Sequence, residues 1–296
     1  MFNRTQSRTL ARAGALAATA LLAAACGGDA PQRDAPEPAP TPSSGAAAAV
    51  TVGATLARPA PGTVTVAWTF DLADGWHLYW HGLNDSGYPP SVDLTLPAGW
   101  AAGPLRWPVP ERYLMTGGIL DHVYHRRLVL LQDLTPPGGV VPAATVTIEA
   151  VVRWLACRQE CVPGQAPLAV TIPAGGEGLP AQLPDLPPFP EPLPAGTALA
   201  TWRGDTLSVT VLGAAALRFF PDADSGPFAD LVADGEAEGH RLDLRLRRRD
   251  GALGPVRGLL QIDRADGSRV TGPFVAPASV DPTNPADPAN PADSGG

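Results

Sequence analysis

Two cysteines four positions apart are the residues of this chain best suited to chemistry. Cys157 and Cys161 come at the end of a run with the pattern of a β-strand, and Val162-Pro163 follow them. In the loop-entropy description, a disulfide that closes a five-residue loop stabilises a fold by only about 2 kcal/mol, against about 3 kcal/mol for 15 residues. A pair this close is more useful as a dithiol that opens and closes than as a staple.

The spacing leaves two interpretations of this pair open. In the first, one thiolate attacks the disulfide of a partner, and the other cysteine resolves the mixed disulfide. Arg158 would stabilise a thiolate and Glu160 would oppose it, while no helix follows to lower either thiol pKa. In the second, the pair is a permanent surface disulfide. Cys-x₃-Cys alone does not decide between them.

Two further segments are dense in aromatic, imidazole or glycine residues. Residues 76–90 hold four aromatic residues and two histidines, a composition that suits core packing beside a Gly/Pro turn better than it suits a ligand surface. Residues 112–125 place Gly117-Gly118 beside bulky apolar residues. This second segment has the composition of a mobile flap over a reactive site, and equally that of an ordinary hairpin loop.

Composition and motifs exclude several classes of function. His122, His125, Met115 and the two cysteines are metal ligands by residue type, but nothing in the sequence brings them together, so no metal is expected. Phosphate loops, dinucleotide fingerprints and hydrolase motifs do not occur, and no cofactor is expected. The net charge of −8 argues against binding to nucleic acid or to an anionic membrane surface.

The N-terminus has the pattern of an export signal. Residues 1–25 combine three arginines with an apolar core over residues 13–25, which is too short to span a bilayer as a permanent helix. Cys26 follows small residues and precedes Gly27, as in bacterial lipoproteins, whose cysteine is lipidated. Ala23-Ala24-Ala25 would also suit ordinary signal peptidase and soluble export. With Gly27 rather than Asp after the cysteine, the lipid anchor is expected in the outer membrane.

Composition divides the remainder of the chain into two bodies joined by a proline-rich stretch. Residues 26–48 and 279–296 lack large apolar side chains and are expected to be a disordered tether and a disordered tail. Residues 173–196 are predicted to be a linker or a long wrapping connection. This leaves one body at residues 49–172 and a smaller one at residues 197–278.

Both bodies have the alternating pattern of β-strands. Polar and apolar residues alternate with a period of two, and Gly/Pro turns separate the runs, which predicts an all-β fold of sandwich or barrel type. The second body has no cysteine and one histidine, and a packing or partner-binding module is favoured there. The clearest runs are residues 63–70, 91–96, 123–134, 145–155, 206–212 and 240–247.

Four motifs, in this order along the chain, resemble one known family. They are Trp76-His77-x-Tyr79-Trp80, Asp85-Ser86-Gly87-x-Pro89-Pro90, Trp107-Pro108-x-Pro110-x-Arg112 and Cys157-x₃-Cys161-Val162-Pro163. Over residues 50–172 the series resembles the periplasmic N-terminal domain of the DsbD family of thiol:disulfide interchange proteins. It is most similar to the branch associated with suppression of copper sensitivity, the ScsB-like proteins.

The resemblance implies an immunoglobulin-like β-sandwich followed here by a second small β-domain. It implies that Cys157 and Cys161 are the active cysteines. A short cap loop shields the pair in the family, and residues 113–119, in particular Tyr113, Leu114 and Met115, are the candidates for it.

The same resemblance implies partners for the cysteine pair. The pair would receive electrons from a membrane-embedded donor of the DsbD or CcdA type and pass them to oxidised periplasmic proteins. The membrane and thioredoxin domains of full-length members are not found in this sequence. The alternative is a non-catalytic envelope lipoprotein that binds a partner or handles copper and whose disulfide is structural.

Overall fold

The computed structural model describes residues 49–249 and 253–276. The expected signal peptide at residues 1–25, Cys26, the tether at residues 26–48 and the tail at residues 279–296 lie outside the described residues. Within the described ranges, no helix has both the length and the apolar character needed to cross a bilayer.

The first body is a sandwich of two mainly antiparallel sheets. One sheet has the strand order β1-β2-β8-β5, and the other has the order β10-β9-β3-β7-β6, with β4 also paired to β9. The strands are β1 Val50–Ala60, β2 Thr63–Leu72, β3 His77–Tyr79, β4 Ser91–Thr95, β5 Ala101–Arg106, β6 Glu111–Met115, β7 Ile119–His125, β8 Arg127–Thr135, β9 Val146–Cys157 and β10 Cys161–Ile172.

The core of the first sandwich lies between these two sheets. Alternation along β2 turns Val64, Trp68 and Phe70 inwards, where each is 0% exposed. The ring of Phe70 meets that of Trp154 on β9 edge to face, with centroids 6.2 Å apart. Burial of apolar side chains from both sheets is the main stabilising term, at roughly 25 cal/mol per Å².

A single predicted strand over residues 123–134 is two strands in the structure. Arg126 has a φ of 63°, and the chain changes sheet there, because β7 pairs with β3 while β8 pairs with β2. Apolar residues lie on both sides of the crossing, and the polar His125-Arg126-Arg127 that separates them is the one local sign of it in the sequence. A positive φ at a residue other than glycine is uncommon.

The second body has two smaller sheets and the one α-helix of the described residues. The strand orders are β11-β12-β15 and β14-β13-β16-β17. Its core includes Leu207, Phe219 and Leu260. The elements are β11 Leu199–Arg203, β12 Thr206–Thr210, β13 Ala214–Pro221, α1 Leu231–Asp234, β14 Glu236–Glu238, β15 Arg241–Arg245, β16 Val256–Arg264 and β17 Arg269–Ala276. The prediction of an all-β fold, with a β-sandwich followed by a small β-domain, is confirmed.

The connection at residues 173–196 lies along both bodies. Leu183 and Phe189 pack on the outer face of the first sheet, against a cluster that includes Ala67. The backbone N–H of Glu191 donates to the carbonyl of Thr271 in the second body, over 2.8 Å. Apolar packing and backbone hydrogen bonds both hold this segment against the sheets.

The two bodies share apolar contacts beside β3. Phe220 belongs to the second body, yet it packs in the core cluster of the first, with its ring centroid 6.4 Å from that of Trp80. The guanidinium of Arg112, whose side chain is 11% exposed, donates to the carbonyls of Leu231 and Val232 over 3.1 and 3.3 Å. These contacts hold the sheet that carries the cysteines, and they lie on the face of that sheet opposite to the disulfide.

Candidate redox site

The two cysteines close a hairpin. Cys157 is the last residue of β9 and Cys161 is the first of β10, and the two are joined by a disulfide with their Cα atoms 4.1 Å apart. The three residues between them form the turn, in which the N–H of Arg158 donates to the carbonyl of Glu160 over 3.1 Å. The guanidinium of Arg158 lies 5.6 Å from the ring centroid of Trp76.

The disulfide lies on the outer face of its sheet. Alternation along β9 places Trp154 and Ala156 in the sandwich core, and Leu155 and Cys157 in a separate cluster on the other face. That cluster also contains Tyr79 and Val123, with Tyr113 packed against it. The site is therefore a small buried apolar cluster on the outer face of this sheet, separate from the core between the two sheets.

One row of side chains crosses four adjacent strands at this face. Cys161 pairs with Cys157, Cys157 pairs with His77, and His77 pairs with His125. Residues directly opposite each other on neighbouring antiparallel strands project to the same face, with Cβ atoms about 4.5–5.5 Å apart. The backbone register alone therefore brings both sulfurs and two imidazoles together.

The two sulfurs differ in their access to solvent. Cys157 is 3% exposed beneath its cluster, whereas Cys161 is exposed. Because thiol–disulfide exchange requires direct contact between sulfur atoms, the difference in exposure bears on which sulfur could take part in it.

A chain of polar side chains runs from Cys161 into the sheet. The hydroxyl of Tyr79 lies 3.9 Å from Sγ of Cys161 and 3.4 Å from Oγ of Ser86. Ser86 donates from Oγ to Asp121 over 2.7 Å and from its backbone N–H over 2.9 Å, and Asp121 is 0% exposed. Burial raises the pKa of Tyr79, so its hydroxyl keeps its proton and remains a donor at neutral pH.

The turn around Ser86 depends on the glycine that follows it. Gly87 has a φ of 66°, and a Cβ at this position would collide with the ring of Tyr79. Only glycine allows this turn to pass so close to the ring. The Asp85-Ser86-Gly87 sequence is thereby tied to the position of Tyr79.

His77 is a buried imidazole without a polar partner. It is 2% exposed, and neither ring nitrogen has a hydrogen-bond partner among the described residues. Its ring centroid lies 5.0 Å from that of Tyr113, 5.3 Å from that of Tyr79 and 5.6 Å from that of His125. Burial, followed by the nearby His125, lowers the pKa of His77 to about 4, so the ring is neutral at pH 7.

The three residues predicted for a cap loop face two sides of β6. Tyr113 is half-buried and packs against the cluster around Cys157, and Met115 projects to the same face. Leu114 projects to the other face, is 56% exposed, and lines a small cavity with Phe220 of the second body. Beyond Met115, Gly117 and Gly118 both have positive φ and form the hairpin turn.

The residues considered as metal ligands are separated by the strand. His122 and His125 differ by three positions on β7, so they project to opposite faces, and Nδ1 of His122 bonds to the carbonyl of Leu83 over 2.7 Å. Among the described residues, no group of three or more His, Cys, Asp or Glu side chains could hold a metal ion.

Four residues of the site were not predicted to be functional, namely His77, Tyr79, Ser86 and Asp121; the first three were named only as parts of the motifs that resemble the family. Packing was the favoured interpretation of residues 76–90, and His77 and Tyr79 are indeed buried, but against the disulfide cluster. The available signal was the period of two: residues 77 and 79 share one face, as do residues 121, 123 and 125.

The site is thus a disulfide on the outer face of one sheet of a β-sandwich, bordered by aromatic rings and with one of its two sulfurs exposed. Residues 47–173 match the family described as "Thiol:disulfide interchange protein DsbD, N-terminal". The match supports the predicted resemblance of this part of the chain to the DsbD-family N-terminal domain.

A solved structure agrees with this fold. The N-terminal periplasmic domain of ScsB from Proteus mirabilis is 15% identical, with a TM-score of 0.50 over 78% of this chain and 94% of that one. The coverage exceeds what residues 47–173 alone supply, so the likeness in fold extends into the second body. The N-terminal domain of DsbD from Neisseria meningitidis is 19% identical, with a TM-score of 0.28 over 44% of this chain and 87% of that one. No curated protein sequence matches this chain.

Proposed function

We propose that this protein exchanges dithiol for disulfide in the periplasm through Cys157 and Cys161. Thiol:disulfide interchange is the activity of the family that residues 47–173 match. The observation that carries the proposal for this chain is the unequal exposure of the two sulfurs: Cys161 is exposed and Cys157 is 3% exposed. A resolving pair has one sulfur that meets the partner and one that is held behind it.

In the first step the reduced domain attacks a partner. The thiolate of Cys161 attacks one sulfur of the partner disulfide, a new intermolecular S–S bond forms, and the other partner sulfur leaves as a thiolate. The Tyr79 hydroxyl, 3.9 Å from Sγ of Cys161, supplies a hydrogen bond to the attacking thiolate. Because the Ser86 hydroxyl donates its own proton to Asp121, the proton of Tyr79 turns from Ser86 to this thiolate when the anion forms.

In the second step the domain resolves the mixed disulfide. The thiolate of Cys157 attacks Sγ of Cys161, the intermolecular bond breaks, and the second partner sulfur leaves as a thiolate. The partner gains two electrons, and the domain is left with the Cys157–Cys161 disulfide. The structure corresponds to this oxidised product.

The partners and the location belong to the same proposal. A membrane-embedded donor of the DsbD or CcdA type reduces the domain by the reverse of these steps, and oxidised periplasmic proteins receive the electrons. Periplasmic placement is supported by the family and by the ScsB neighbour. We further propose that Cys26 carries a lipid that tethers the protein to the outer membrane.

Single-cysteine variants test the assignment of the two sulfurs. Cys157→Ser leaves Cys161 exposed and unable to be resolved, so it should form a stable mixed disulfide with oxidised glutathione. Cys161→Ser leaves only the buried sulfur and should react at least about tenfold more slowly, a difference of about 1.4 kcal/mol in barrier. Mass spectrometry of quenched samples measures both rates. Equal rates would reject the assignment of Cys161 as the attacking sulfur, and failure of both variants to react would favour a structural disulfide.

A further inference from the structure

The buried ring of His77 needs a physical reason. Buried polar groups are almost always hydrogen-bonded, so an orphaned one calls for an explanation, of which a catalytic or redox role is one. Both nitrogens of His77 lack a partner among the described residues, although the ring is 2% exposed. Aromatic contacts with Tyr79 and Tyr113 account for the packing of the ring, and a phenylalanine would pack in the same way.

Reduction of the disulfide creates a partner for this ring. In the oxidised protein the sulfur of Cys157 is bonded to Cys161 and carries no proton. After reduction, Cys157 becomes a buried thiol, and it lies directly opposite His77 in the strand register. Cross-strand partners have Cβ atoms about 4.5–5.5 Å apart, within hydrogen-bonding reach of a sulfur and an imidazole.

The other groups that face His77 are less suited to accept the proton of the Cys157 thiol. Tyr79 and Tyr113 are phenols, and Asp121 already accepts two hydrogen bonds from Ser86. His125 lies one strand further along the row, with His77 between it and Cys157.

We propose that His77 is the catalytic base for Cys157, accepting its proton when the mixed disulfide is resolved. This inference rests on the proposed function and deepens it. The proton of the Cys157 thiol passes to a ring nitrogen, and the resulting thiolate attacks Sγ of Cys161. The partner sulfur leaves as a thiolate and is protonated by water, and the imidazolium then releases its proton to solvent.

Electrostatics favour this proton transfer from the Cys157 thiol to the ring of His77. A thiol buried in apolar surroundings has a raised pKa and ionises poorly without a base beside it. The low pKa of His77 belongs to the oxidised form, in which burial and the nearby His125 outweigh the opposing effect of Asp121. A thiolate directly opposite raises the pKa of the imidazole, and the imidazolium lowers the pKa of the thiol, so the two charges stabilise each other.

The test compares two histidine-to-phenylalanine changes in the same row. His77→Phe keeps an aromatic ring and removes both nitrogens, whereas His125→Phe makes the same change one strand away. The reduced full chain is mixed with oxidised glutathione, and formation and resolution of the mixed disulfide are followed separately. We expect resolution to slow at least about tenfold in His77→Phe and to change less than about twofold in His125→Phe.

The pH profile separates a base from a packing residue. In the wild type, the rate of mixed-disulfide resolution should reach its plateau at a lower pH than in His77→Phe. In that variant the rate depends on ionisation of a thiol that has no base beside it. An unchanged plateau and a resolution rate within about twofold of wild type would overturn the inference. If circular dichroism shows that His77→Phe is unfolded, His77→Gln, which is polar but not basic, is judged by the same criteria.

A second measurement does not depend on exchange activity. In a Cys161→Ser background, the pKa of the Cys157 thiol is measured from the pH dependence of thiolate absorbance, with and without His77→Phe. We expect His77→Phe to raise this pKa by about one unit or more, as loss of a charged partner does. An unchanged pKa would reject His77 as the base, whereas a wild type that never forms mixed disulfides would reject the proposed function alone.

Discussion

Cys157 and Cys161 occupy directly opposed positions on β9 and β10, and the ladder between these strands continues for eleven further residue pairs, as far as Val146 and Ile172. The disulfide therefore links residues that the backbone already holds together. Its opening leaves the hairpin in place, which is the property that an exchanging pair requires.

Removal of the disulfide is expected to cost little stability. Cys157→Ser/Cys161→Ser should lower the free energy of unfolding by no more than about 2 kcal/mol, the value for so short a loop. Urea unfolding of the double variant and of the oxidised wild type gives this difference, and equal m-values would show that both unfold the same surface. A loss above about 4 kcal/mol would identify the bond as a structural staple.

The hydroxyl of Tyr79 is expected to set the reactivity of Cys161. Tyr79→Phe removes the only donor seen near that sulfur among the described residues, so the pKa of the Cys161 thiol in a Cys157→Ser background should rise by roughly one unit. Tyr113→Phe is the matched control, because its ring contacts His77 and the cluster around Cys157. The pH dependence of alkylation measures both. Equal pKa values in the two variants would remove Tyr79 from the mechanism.

Two adjacent phenylalanines should report on different cores. Phe219 packs in the core of the second body and Phe220 in that of the first, although both lie on β13. Each change to alanine should cost about 3–5 kcal/mol. Hydrogen exchange should quicken around Val66 in Phe220→Ala and around Val209 in Phe219→Ala. Leu212→Ala, at an 83% exposed position, is the control. The same exchange pattern in both variants would contradict separate cores.

Stability is expected to fall as the medium is acidified from pH 6.5 towards pH 4. Burial is the largest cause that lowers the pKa of His77 and of His122 to about 4, below the ordinary value of 6.5. The unfolded chain then binds more protons in this window, and each histidine removes about 1.5 kcal/mol between pH 6.5 and pH 5.

Urea unfolding at these two pH values checks the effect, and His77→Phe should abolish about half of it. Asp263 acts in a separate window, because hydrogen bonding from Arg269 lowers its carboxyl pKa below 3.8, and its contribution is lost only at lower pH. An unaltered pH dependence in His77→Phe would show that this ring is not the cause.

The alternation of polar and apolar residues predicted the strands correctly where one side of a strand fills a core. It did not predict where the chain passes from one sheet to the other. Residues 63–70 form part of β2 as the alternation predicts, because one side of that strand fills a core. The sheet change at Arg126 lies between two apolar runs, and the polar His125-Arg126-Arg127 between them was not recognised as a break. The fold class was predictable because the alternation of polar and apolar residues is a local pattern. The strand order was not, because it depends on contacts between residues far apart in the sequence.

The same distinction holds for the site. Cys157 and Cys161 were recognisable because their spacing is local. His77 and Asp121 reach the site only through the pairing of β3 with β7 and β9, and that pairing depends on contacts between residues far apart in the sequence. Tyr113 was named as part of a cap, and it does pack against the cluster around Cys157, on the face shared by both cysteines.

The reduction potential of the Cys157–Cys161 pair tests the central claim most directly. The full chain is equilibrated with glutathione mixtures of known ratio, and free thiols are trapped and counted. A thiol-exchange role predicts a value between roughly −180 and −270 mV, the range of known exchange proteins. A potential below about −300 mV, at which glutathione does not open the bond, would contradict that role and leave a structural disulfide.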